Sequence, residues 1–128
     1  ASQASVARRL WEQSGYGPQD VDVLQLYCNM TGPGIGSLID HGFCTFETAA
    51  DFIRFENLIA PSGQLPINTS GGDLAEGFIH GMGLVPEAVR QIRGESVNQV
   101  ADVHLSMITG GPGDTMSSTA LLGTEDTL

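Results

Sequence analysis

The chain has 128 residues, with fifteen Asp and Glu against five basic residues, all arginine, for a net charge of −10. Without lysine there is no Schiff-base chemistry and no lysine-bearing phosphate loop in this chain, and an acidic balance with no clustered bases argues against nucleic acid or an anionic membrane surface as partner. Glycine is abundant at 17 residues, charged residues make up only 16%, and no apolar run approaches the roughly 18 residues of a membrane span.

In chain order, residues 4–14 read as an amphipathic helix. Ser5 is its expected cap, Val6, Leu10 and Trp11 share one face, and Gly15 and Gly17-Pro18 stop it. Residues 20–26 alternate in β-branched fashion and predict a buried strand ending near Tyr27. TGPGIG follows as a turn, with some likeness to an anion cradle, and opens a helix over 35–41. A helix is expected over 48–57, anchored by Phe52, Phe55 and Ile59. The loop APSGQLPINTSGG then leads into a helix with Asp73 and Glu76 in its first turn. That helix carries Gly77, Gly81 and Gly83, a density that calls for close packing or a ligand. It continues over 85–92, kinked or restarted at Pro86, and stops at Gly94. A strand over 103–108, the turn TGGPG and a return strand over 118–122 complete an α/β pattern whose three strands make a thin sheet.

Cys28 and Cys44 read as two buried thiols of a reducing cytosol rather than a disulfide, and the three histidines show no zinc-ligand spacing, so no metal is expected. Three glycine loops at element ends suggest convergence on one crevice. Tyr27 at a strand end is a candidate proton donor, and His80, flanked by small residues, is a candidate acid/base. His41 at a helix C-terminus, where a cation is favoured, and His104 in a strand read as structural. Cys28 has no visible basic partner and reads as a thiol rather than a nucleophile.

The run ARRLWEQSGYGPQDVDVLQLYCNMTGPGIGSLIDHGFC, then INTSGGDLAEG, VRQIRGESVNQV and ITGGPG, resembles the C-terminal half of thiolase-superfamily proteins. The branch it looks most similar to is the sterol-carrier or lipid-transfer one. The resemblance implies a mixed sheet with helices on both faces, over residues 1–128. It also implies a chain that starts after the first strand of that half and lacks the N-terminal half with the nucleophilic cysteine. Where related thiolases carry Gly-His-Pro, this sequence has Gly77-Phe78-Ile79, and where they carry His-Asp-Cys-Phe it has Tyr27-Cys28-Asn29-Met30. The family's acid/base residue near the C-terminus falls at Met107 or Ile108, neither of which moves a proton.

These departures resemble the thiolase-like aldolases of steroid side-chain degradation, which cleave a β-hydroxyacyl-CoA. The resemblance implies a retro-aldol role for Tyr27 on the hydroxyl proton, His80 as partner acid/base and Asn29 as an orienting group. It further implies that Phe78 contacts substrate, at a position where members of the subgroup often carry tyrosine, and that the N–H groups of Gly110 and Gly111 face the enolate oxygen. It also implies a CoA thioester as substrate with no further cofactor, a homodimer mate, a small OB-fold and zinc-ribbon partner subunit, and a cytoplasmic location. Two other readings stay open: a non-catalytic acyl-CoA or lipid-binding scaffold, and an acyltransferase whose nucleophile lies in the other half.

Overall fold

A computed structural model describes residues 2–111 and 116–127. Helix α1 spans Ser2–Ser14, strand β1 Val23–Gln25 and helix α2 Thr31–Asp40. Two single-turn helices, α3 (Ala49–Phe52) and α4 (Phe55–Leu58), precede a third, α5 (Gly72–Ala75). Helix α6 (Leu84–Arg93) and the strands β2 (Leu105–Gly110) and β3 (Ser118–Gly123) follow.

The sheet order is β1-β2-β3, with β1 parallel to β2 and β2 antiparallel to β3. Leu24 sits opposite Met107, and Met107 opposite Leu121. The other edge of β1 is not bare: Leu24 N–H donates to Pro66 O at 3.0 Å and Asn68 N–H to Leu24 O at 2.9 Å. A one-residue bridge at Ile67 therefore flanks β1, and the three-residue strand lies in the middle of the layer.

Alternation along β1 separates two cores. Leu24 and Leu26, with Leu38, Leu65, Leu105 and Met107, form one cluster, against which Leu10 and Trp11 of α1 pack. Val23 faces the other way, toward Val100, Val103 and Ile92 of α6. Helices thus cover both faces of the mixed sheet, as the resemblance implies. Asp22 fixes the entry to β2, its Oδ2 accepting the N–H groups of His104 at 2.8 Å and Leu105 at 2.9 Å.

Several expectations are corrected. Helix α1 begins at Ser2, so Ser5 lies inside it rather than at its N-cap position. TGPGIG is neither turn nor cradle but the first part of α2, which starts at Thr31. The helix expected over 48–57 is two turns broken at Ile53. The long glycine-rich helix is broken as well: Gly77, His80 and Gly81 all take positive φ (56°, 54° and 82°), which a right-handed helix cannot contain. Pro86 occupies the first turn of α6, where the missing N–H has no partner to lose. His104 precedes β2 and is exposed. Of the turn expected over 109–113, positions 112 and 113 lie outside the described residues.

A polar network joins the sheet to α6. Glu87 is 2% exposed, and its Oε1 accepts from Ser96 Oγ at 2.7 Å, from Gln91 Nε2 at 3.1 Å and from the Thr69 hydroxyl. Thr69 Oγ1 accepts in turn from Gln25 Nε2 and Gln91 Nε2, each at 3.0 Å. Asn98 Nδ2 ties to Thr69 O at 2.7 Å, and Arg90 stands 3.7 Å from the second Glu87 oxygen.

On the other face, His41 is 2% exposed and closes α2. Its Nδ1 lies 2.8 Å from Ser37 O and so carries the proton, while Nε2 is buried with no partner among the described residues. Burial pushes its pKa below the ordinary value despite the Ser37 hydrogen bond and nearby Asp40. The ring is therefore neutral, not the helix-end cation expected from its position.

Two outcomes follow. Glu87→Ala removes the acceptor of the Thr69 and Ser96 hydroxyls and one of those of Gln91 Nε2, and costs about 3 kcal/mol of stability by denaturant unfolding, whereas Glu87→Gln, which keeps one acceptor, costs about half that. Because folding depresses the His41 pKa, the folded state resists the protonation that the unfolded chain accepts. Stability is full above the unfolded value of about 6.5 and falls as pH drops below it. Thermal midpoints measured between pH 7.5 and 5.5 should decline for the native sequence and flatten in His41→Gln.

Candidate active site

The end of β1 is where the predicted residues meet. Beyond Gln25 the chain leaves the ladder, and three successive N–H groups are taken by side chains from three segments. Asn68 Oδ1 accepts from Leu26 N at 2.7 Å, Thr109 Oγ1 from Tyr27 N at 3.1 Å, and Asp73 Oδ2 from Cys28 N at 3.2 Å. Asn68 Nδ2 also donates to Cys28 Sγ at 3.1 Å. Neither Asn68 nor Thr109 was singled out from sequence, and Asp73 only as a helix-dipole partner. The signal available for the first was its place in INTSGG; for Thr109, in ITGG, there was none beyond adjacency to Gly110.

Tyr27 is 8% exposed. A Cβ on Gly81 would stand 2.7 Å from Tyr27 Cδ2, so the ring lies where only glycine fits, and the positive φ of Gly81 suits glycine too. The glycine expected to permit close packing is thus used for an aromatic ring rather than a second helix. Phe78, 48% exposed, lies with its ring centroid 6.2 Å from that of Tyr27 and 4.8 Å from that of His80. The contacts run from Tyr27 to Phe78 to His80, so Phe78 bridges the two expected acid/base groups. His80 is exposed on the broken segment rather than on a helix. Leu74, Ile79 and Met82, also exposed, make the surroundings apolar.

Asn29 follows directly, with its Oδ1 buried and unpartnered among the described residues. Gly110 ends β2 opposite Ser118, and Gly111 turns away at φ 89°. The parallel register ends at Gln25 and Ile108, and two residues further on Tyr27 N is held by the side chain of Thr109, the residue before Gly110. Of the six expected residues, ring contacts join Tyr27, Phe78 and His80, whereas Asn29 follows Tyr27 by two positions and Gly110 and Gly111 follow Thr109, which accepts from Tyr27 N.

Cys28 is half-buried and Cys44 buried, and both are free thiols. Burial raises the Cys28 pKa and the Asp73 carboxylate raises it further, against the hydrogen bonds from Asp73 and Asn68 that lower it; burial alone raises that of Cys44. Cys28 is a protonated thiol without a base. Among the described residues, no three His, Cys, Asp or Glu side chains are grouped to hold a metal ion, and no helix is long and apolar enough to cross a membrane.

Residues 1–124 match the family model of thiolase C-terminal domain-like proteins, and the chain belongs to that family. It is 47% identical over 108 residues to the 17-hydroxy-3-oxo-4-pregnene-20-carboxyl-CoA lyase of Mycobacterium tuberculosis, covering 84% of this chain and 28% of that protein. It is 44% identical over 108 residues to the steroid side-chain-cleaving aldolase of Thermomonospora curvata, covering 84% and 27%. The solved structure of an Ltp2-ChsH2(DUF35) aldolase superposes with a TM-score of 0.89 at 41% identity, over 96% of this chain and 32% of that one. The chain thus spans under a third of the relatives it matches.

The state of Cys28 has a direct readout. In the folded protein at pH 8, iodoacetamide should label Cys28 more slowly than the same cysteine in denaturant, followed by peptide mass spectrometry. Equal rates would contradict the raised pKa.

Proposed function

We propose that this chain forms the C-terminal part of a thiolase-like enzyme that cleaves a β-hydroxyacyl-CoA, of steroid or lipid side-chain type, by retro-aldol chemistry. The observation that carries this reading is Tyr27, held rigidly at the sheet end beside an open apolar surface, next to a cysteine kept as a thiol. The names of the two relatives that match above 40% identity, a carboxyl-CoA lyase and a side-chain-cleaving aldolase, support the reaction class and the substrate type.

In the proposed reaction the β-hydroxyl gives up its proton, the Cα–Cβ bond breaks, and the electron pair moves into the thioester as an enolate. A ketone leaves, and protonation at Cα yields the shorter acyl-CoA. Tyr27 handles the hydroxyl proton, and His80, which the Phe78 ring separates from it, supplies a proton at Cα from the solvent side, so the proton lost at oxygen is balanced by one gained at carbon. Asn29, with its unpartnered Oδ1, orients the hydroxyl, and backbone N–H groups at Gly110 and Gly111 meet the enolate oxygen. Phe78 packs on the apolar body of the substrate. The thioester brings its own activating group, so no further cofactor is assigned.

The two-component name of the structural neighbour supports a partner subunit for this chain as well. We assign it the small OB-fold and zinc-ribbon type, alongside a thiolase-type homodimer mate, in the cytoplasm.

Tyr27→Phe in the complete polypeptide with its partner should lower ketone release by a factor of about 10² or more, with binding of the CoA ester retained. Unchanged turnover would remove Tyr27 from the mechanism. Ester binding with no turnover in the native protein would favour the scaffold reading instead.

A further inference from the structure

We propose that Asn68 is a positioning residue for Tyr27, holding the tyrosine ring by clamping the residues on either side of it; this rests on the role given to Tyr27 above. The carboxamide is used at both ends. Its Oδ1 accepts from Leu26 N at 2.7 Å and its Nδ2 donates to Cys28 Sγ at 3.1 Å, so one planar group spans the backbone before Tyr27 and the side chain after it.

The clamp is itself built in. Asn68 N–H donates to Leu24 O at 2.9 Å and Asn68 O accepts from Gly71 N at 2.8 Å, which pins its main chain to β1 and to the turn. Its φ of 51° is a conformation that asparagine tolerates better than most residues. A Cβ on Gly72 would fall 2.8 Å from Asn68 Nδ2, so the glycine leaves the space that the amide fills. The next residue, Thr69, is anchored in the Glu87 network, so the amide is fixed relative to α6 as well as to β1.

Asparagine is suited to the task because it presents an acceptor and a donor on one rigid plane. Alanine offers neither, and aspartate keeps the acceptor for Leu26 N while losing the donor to Cys28 Sγ. Asn68 is assigned no contact with the substrate. Its effect runs through the angle of the Tyr27 ring, and errors of about 1 Å in such placement cost up to about a hundredfold in rate.

The test is a double-mutant cycle in the complete polypeptide with its partner, using retro-aldol cleavage of a β-hydroxyacyl-CoA. Asn68→Ala should lower kcat by about tenfold or more with KM changed less than about threefold, and should cost nothing further in a Tyr27→Phe background. Where the double variant falls below detection, the split between kcat and KM decides. If Asn68→Ala does not fold, Asn68→Asp is read by the same criteria. A kcat within twofold of native, or an equal loss in both backgrounds, overturns the inference. Intact turnover in Tyr27→Phe alone instead sinks the reading of the site, whereas an impaired Tyr27→Phe beside a normal Asn68→Ala sinks only the clamp.

Discussion

Glu87 places a carboxylate where almost no water reaches it, and three side chains from three segments converge on the same oxygen. Burying a charge is costly unless its hydrogen-bonding capacity is met, and here two hydroxyls and an amide meet it. The consequence is geometric. Thr69 cannot leave without breaking bonds to Glu87, Gln25 and Gln91 together, so the loop that carries it is tied to α6 and to β1 at once. Asn98 adds a second tie to the Thr69 carbonyl, and Gln91 Oε1 accepts from Val100 N at the far end of the same segment.

That loop is what makes a three-residue strand sufficient. β1 is too short to carry its own ladder past Gln25, and a free strand end would leave three N–H groups to water and the Tyr27 ring without a fixed direction. Asn68, Thr109 and Asp73 take those groups instead, each supplied by a segment that is itself anchored. From above, the break in the helical path at residues 77–81 brings a glycine against the ring. Orientation of Tyr27 is therefore a property of the sheet end, the 66–73 loop and the 77–83 segment taken together.

The order of helices and strands was legible because Val6, Leu10 and Trp11 repeat at helical spacing, while residues 20–26 alternate. INTSGG and QIRG carried the family, and Tyr27 and Phe78 stood out as departures from its pattern. The breaks were not legible. Helical periodicity continues through residues 73–92, and only the positive φ values at Gly77, His80 and Gly81 interrupt it. Likewise Thr69, Glu87 and Gln91 are ordinary polar residues in a string, and only the fold makes them one buried cluster. His41 is structural, as its place at a helix end suggests, but its burial is not visible in sequence, and burial decides its charge.

The chemistry assigned to the site follows from what its groups cannot do as much as from what they can. A nucleophilic cysteine needs a lowered pKa, but the cysteine here is half-buried beside a carboxylate, both of which favour the thiol. The position that carries an activating histidine in thiolases holds the Phe78 ring, which moves no proton and instead separates Tyr27 from His80. With no lysine to form an imine, a Schiff-base route through this chain is closed. What remains is a phenol held within a wall of glycine and aromatic surface, a hydrogen-bonding strand end, and a solvent-facing imidazole one ring away. The β-hydroxyacyl thioester proposed as substrate asks nothing outside that inventory. It asks the protein to move protons and steady an oxyanion, while the bond to be broken is already activated by the thioester it carries.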